Sequence, residues 1–156
     1  MIIKIGSENK MQFEDFNQII ERIKKEKPIW FGLESDSCIN DSDIRRIEEY
    51  FNIQLPMEYK QFLKNYGGGY FAFLLIFSGD EKSDWNVIKQ NKELNLLNKY
   101  NFLAVSDNES GDFYGFRVNN NICETKISIF LHDELKVEDT QYENFYQYVL
   151  KLGLRV

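Results

Sequence analysis

A stretch that must be helical, fenced by a proline on one side and three glycines on the other, constrains this chain more than any other feature. Residues 57–66 follow Leu55-Pro56 and run into Gly67-Gly68-Gly69. Pro56 has no N–H to lose in the first turn of a helix. The proline also pushes Leu55 toward an extended conformation. Tyr59, Phe62, Leu63 and Tyr66 recur at spacings of three and four, which puts them on one helical face. A left-handed position after the last turn accepts glycine without penalty, so the glycines end the helix. The next eight residues, 70–77, are apolar on both faces, the pattern of a central strand.

The remaining elements follow from the same periodicities. Phe13, Phe16, Ile19, Ile20 and Ile23 predict an amphipathic helix that ends before Pro28, and residues 30–37 read as a connector. Asn40, Asp41 and Ser42 are all good N-caps for a helix carrying Ile44, Ile47 and Phe51. A more polar helix is expected over residues 84–97, using Trp85, Ile88 and Leu96. Strands are expected over 101–106 and 113–118 around a turn at 107–112, and again over 125–131 after the turn Asn119-Asn120-Asn121. Thr140 and Glu143 have the spacing of a capping box for a last helix. That helix carries Tyr142, Phe145, Tyr146, Val149 and Leu150 and is closed by Gly153. Helices thus frame a meander of strands, which implies an α+β fold: a single, mainly antiparallel sheet with helices packed on it. No repeat or linker divides the chain, so residues 1–156 are expected to form one domain.

Composition narrows the class of partner. The 43% hydrophobic and 15% aromatic content of 156 residues supplies ample core, and a domain of this size buries roughly 70% of its unfolded surface. Against 19 Lys and Arg stand 25 Asp and Glu, a formal charge of −6. That balance disfavours nucleic acid and anionic membrane and favours a basic protein, although it also serves solubility. Cys38 and Cys123 are isolated and read as buried thiols. The opening residues Met1 to Gly6 are too short and too early in charge for a signal segment, and no apolar run approaches a membrane span. A cytosolic location is expected.

Ile44 and Glu48 on one helix, the Leu55-Pro56 corner, Tyr59, Phe62-Leu63 and the closing Gly67-Gly68 together resemble the signature of the SUKH superfamily, which includes the fungal Smi/Knr cell-wall-assembly regulators. The resemblance extends more loosely through residues 102–118, with Ser110-Gly111-Asp112 in the turn, and through 129–134 to a closing helix with Phe145. Leu131 stands where the family usually has tryptophan. The resemblance covers residues 40–152 and implies an α+β scaffold. Its bacterial members mostly serve as immunity proteins that bind and neutralise toxins, often nucleases; its eukaryotic members act as adaptors. It supplies no catalytic residues to carry over.

Several clusters invite chemistry. The three glycines follow a helix and precede a strand, the reverse of a phosphate loop. A calcium loop begun at Asp107 fails at its fifth and twelfth positions, Gly111 and Val118. His132, beside Asp133 and Glu134, is the only histidine, which excludes a His-rich zinc site; a general base there has no nucleophile in view. Trp85 among Asp80, Glu81 and Asp84 fits two readings, a docking anchor with an acidic rim or a core tryptophan at a helix start. The loop residues Asp80, Glu81, Asp84, Trp85, Asp107, Glu109 and Asp112 are therefore the expected protein-binding residues. No catalytic residue, metal or cofactor is expected. The expected function is neutralisation of a basic cognate toxin, with an intracellular adaptor as the alternative; self-association is left open.

Overall fold

The computed structural model describes residues 10–156; the opening segment Met1 to Gly6 lies outside them. Helix α1 (Phe13–Glu26) leads through a 3-10 turn (Pro28–Phe31) to α2 (Asp41–Phe51) and α3 (Met57–Tyr66). Strands β1 (Gly69–Phe71) and β2 (Leu74–Ile76) follow, then α4 (Val87–Leu94) and α5 (Leu96–Tyr100). The chain continues through β3 (Phe102–Asp107), β4 (Phe113–Asn119), β5 (Ile122–Cys123), β6 (Ser128–Leu131) and β7 (Lys136–Asp139). It closes with α6 (Phe145–Tyr148), which widens into a π turn over Val149–Gly153. All strand pairs are antiparallel, in the order β1-β2-β3-β4-β6-β7 with β5 on β4. This is the expected α+β class.

The expected helix stops appear where local chemistry demands them. Asn40 and Asp43 form a capping box at the start of α2, satisfying two otherwise orphaned N–H groups. Pro56 is the N-cap of α3 instead of its first helical residue, with ψ at 146°. The glycines do more than stop α3. Gly67 has φ of 82°, and a Cβ there would lie 2.0 Å from the Asp36 carbonyl oxygen. The connector thus crosses the glycines, with the Asp36 N–H donating to the Gly68 carbonyl at 2.9 Å.

The run 70–77 is a hairpin and not one central strand. Ala72 has φ of 52° in the two-residue turn between Phe71 and Leu74, a conformation in which glycine or asparagine is usual. With neither residue in the run, nothing in the composition signals the turn. The helix expected over 84–97 begins later, because the Trp85 carbonyl accepts the Ser78 N–H at 2.9 Å in a short bridge. Asn95, left-handed at φ 56°, then divides it in two. The Thr140 capping box does not form: Thr140 Oγ1 donates to the Ile127 carbonyl instead, and Asn144 caps α6 through the Gln147 N–H. Strand β7 has no expected counterpart, since its Lys-Val-Glu-Asp sequence is mostly exposed and reads as loop. Cys123 is buried, and burial pushes its thiol up to about 12. Cys38 is exposed on the connector, contrary to expectation.

Two layers bury the sheet. On one face Tyr114 and Phe116 of β4 meet Tyr148 and Phe145 of α6, with ring centroids 4.9 and 6.4 Å apart. Beneath, α1 joins through Phe16 stacked on Tyr146 at 4.4 Å. On the other face Phe130 packs on Tyr100 of α5 at 5.0 Å. Strand β2 pairs only with the Ser106–Asp107 end of β3, which leaves the Ala104 backbone without a strand partner on that side. Buried Asn91 of α4 supplies one: it accepts the Ala104 N–H at 2.9 Å and donates to the Ala104 carbonyl at 2.7 Å. Removing that amide strands two buried backbone groups. Asn91→Ala is expected to cost roughly 2–4 kcal/mol, read as a lower urea midpoint at an unchanged slope.

Candidate docking surface

Strand register decides which of the expected binding residues share a surface. Leu75 pairs with Asp107 at the start of β2, so the β1–β2 turn and the β3–β4 turn leave the sheet at the same end. Phe113 pairs with Phe130, and Leu131 with Lys136, which brings the β6–β7 turn to that end too. The loop from Asp80 to Trp85 leaves from the opposite end of β2, after Ser78. The seven residues therefore form two groups.

In the first group the side chains are largely committed to local structure. Asp80 accepts the Ser37 and Lys82 N–H groups, both at 3.0 Å, and these bonds hold its carboxyl below the usual range. Glu81 pairs with Arg46 at 2.7 Å. Trp85 is half-buried, 6.3 Å from the Tyr70 ring, and Asp84 is exposed.

The second group lies at the three-turn end. Asp107 accepts the Glu109 N–H at 2.6 Å, and Asn108 Oδ1 ties the turn through Ser110 and Asp112. Asp112 faces the neighbouring turn, accepting both the backbone N–H of His132 at 3.0 Å and its Nδ1 at 2.6 Å. His132 Nε2 meets Asp133 at 3.1 Å. His132 is therefore a clasp between two turns. Asp107 and Glu109 also meet residues from elsewhere in the chain: a groove of about 220 Å³ is lined by these two with Phe73, Tyr114, Leu152 and Arg155. Phe73 is 48% exposed, is met edge-on by Trp30 at 4.9 Å, and carries the Arg155 guanidinium over its ring at 4.4 Å.

Backbone strain marks the same end. Nine non-glycine residues among those described have positive φ, and five are asparagines, which tolerate that region. The other four, Ala72, Glu109, Leu135 and Arg155, all lie in or beside the three turns. Phe73 and Arg155 were not among the expected residues. A lone phenylalanine inside an apolar run gives no sign of exposure until the hairpin turn is placed.

The comparisons with known proteins meet this geometry at the scaffold. The family model SUKH_6, described as SMI1-KNR4 cell-wall, matches residues 41–149. The chain belongs to the SUKH superfamily. A search of the curated proteins returns no match. The matched segment explains its own signature: Glu48 accepts the Leu55 N–H at 2.8 Å and pairs with Lys60 at 3.1 Å, locking the corner between α2 and α3. Tyr59, Phe62 and Leu63 are wholly buried. These SUKH positions build the scaffold; the α1 helix and the 3-10 turn that bears Trp30 lie before the match.

The His132 clasp has a defined pH window. Its hydrogen bond to Asp112, then the Asp133 charge, hold the imidazole above its ordinary 6.5. The His132 backbone and ring hold Asp112 below its ordinary 3.8. A raised base stabilises fully below its unfolded value and loses this as pH climbs through its folded value. A depressed acid stabilises above its unfolded value and loses this as pH falls through its folded one. The clasp is thus strongest between about 3.8 and 6.5. The destabilisation caused by His132→Ala, followed by urea unfolding, is expected to peak in that window and to shrink as the buffer is taken alkaline.

Proposed function

We propose that this SUKH protein is a non-enzymatic binding module of the immunity type, which neutralises a cognate bacterial toxin by direct contact in the cytosol. The family match over residues 41–149 carries the reading, because the resemblance implies immunity proteins as the commonest bacterial role. The acidic balance, 25 carboxylates against 19 cations, supports a basic partner such as a nuclease toxin, since opposite charge speeds encounter and suppresses wrong partners. The proposed contact residues are drawn from the carboxylates Asp80, Glu81, Asp84, Asp107, Glu109 and Asp112 with Trp85, which the register divides between two ends of the sheet. Of these, Asp84 and Glu109 are the carboxylates with no hydrogen bond or ion pair from their own side chains among the described residues.

The family's cell-wall type favours an adaptor that binds a host protein as the second reading. Capture on tagged protein separates the two. The immunity reading expects stoichiometric recovery of a toxin domain encoded beside this gene, with growth restored on co-expression. It also expects association to slow as salt is raised from 50 to about 500 mM, which shortens the Debye length severalfold. Recovery of a host regulatory protein without growth rescue selects the adaptor.

A further inference from the structure

The geometry points to a single docking face. We infer that the partner seats on the surface made by the 3-10 turn and the tip of the β1–β2 hairpin. Phe73 is its apolar anchor, and Asp107 and Glu109 receive lysine or arginine side chains from a basic protein. The inference rests on the toxin-binding reading above and names the surface that serves it.

Three independent observations converge there. The first is exposed apolar area within one short stretch. Ile29 is 89% and Leu33 63% exposed, and Trp30 between them lies on the half-exposed Phe73. Large aromatic side chains presented beside a groove are the usual anchors of protein interfaces, and scattered exposed aliphatics are not. The second is charge. The groove behind Phe73 sets Asp107 and Glu109 against Arg155, whose guanidinium already rests on the Phe73 ring, and the other cation of the face, Lys27, lies over the Trp30 ring at 5.7 Å. Within a chain of charge −6, the acidic pair in the groove is the part of the face that receives basic side chains of a partner. The third is strain. Ala72, Glu109 and Arg155, at φ of 52°, 64° and 60°, keep a left-handed backbone conformation around the groove that is strained for residues other than glycine and asparagine. Asparagine or glycine would relieve it.

The location adds a fourth point. Ile29, Trp30, Leu33 and Arg155 fall outside residues 41–149 while Phe73, Asp107 and Glu109 fall within them, so the face joins residues outside the family match to residues of the shared scaffold. The opposite edge of the sheet contrasts with it. There β7 presents Lys136 between Glu134 and Glu138 at 3.4 and 3.0 Å, the charged dressing that keeps an edge strand from pairing.

The test uses the full chain and the toxin domain encoded beside its gene. Phe73→Ser is expected to weaken binding about thirtyfold or more and Ile29→Ser about fivefold, with melting temperature held near that of the parent. Phe73→Tyr is expected to keep affinity within about threefold, and Glu109→Lys to slow association about fivefold and flatten its salt dependence. Lys99→Ala, on α5, is the control that leaves binding unchanged. Hydrogen exchange is expected to show protection over residues 28–34, 72–74 and 107–110 in the complex. Binding by the parent that survives both serine variants, with protection over 80–86 instead, overturns this face and leaves the toxin reading standing. No binding by the parent overturns both. A concentration-dependent dimer of the free chain, abolished by Phe73→Ser, assigns the face to a second copy and overturns the toxin as occupant.

Discussion

The hydroxyl of Tyr59 donates to the Phe77 carbonyl at 2.6 Å, wholly out of solvent, and most of the molecule is arranged around that bond. Phe77 is where β2 leaves its partner: its N–H still reaches the Val105 carbonyl, but the next residue bridges to Asn86. Its own carbonyl would be a buried acceptor without a partner, a cost of one to several kcal/mol in an apolar setting, had α3 not delivered a phenol there. The same ring lies 5.9 Å from Phe116 and 5.2 Å from Phe145. One side chain therefore fixes α3 against the sheet, ends β2 at its point of departure and positions the last helix. Burial raises the Tyr59 pKa well above 10.0, which keeps the donor protonated.

A second buried chain works at the other end of the same strand. Tyr148 donates to Ser106 Oγ at 2.7 Å, and Ser106 donates to the Leu75 carbonyl at 2.9 Å. Gly115 completes the arrangement, because a Cβ there would sit 2.0 Å from the Leu103 carbonyl oxygen. The irregular step in the β3–β4 register between Ala104 and Ser106 is held by these contacts from both faces. Buried polar groups that are fully satisfied in this way specify one packing among many of similar apolar content.

The α+β class, the helices α1 to α3 and the strands β3 and β4 were legible because each announces itself through local chemistry: Asn40, Pro56, the glycines and the spacing of Tyr59, Phe62 and Leu63. What escaped was decided by non-local partners. The β1–β2 turn is made by Ala72, whose φ nothing in its own composition predicts. The start of α4 is delayed by a bridge to Ser78, and Thr140 is diverted from its cap by the Ile127 carbonyl. For the surface, the acidic loops could be read as loops, but not that register sends Asp80 and Asp107 to opposite ends of β2. Nor does the sequence show that Trp30, far off in the chain, rests on Phe73.

The convergence of three hairpin turns at one end has a consequence for how such a protein changes over generations. Each turn is bounded by a pair whose register is set deeper in the sheet, such as Asp107 with Phe113 and Leu131 with Lys136. A substitution or a one-residue insertion in any single turn is absorbed at the surface, where loop length adds little closure entropy, while Tyr59, Asn91 and Tyr148 go on specifying the interior. The chemistry of this surface and the specification of the fold are thereby written in separate residues, so the first can be revised one turn at a time without putting the second at risk.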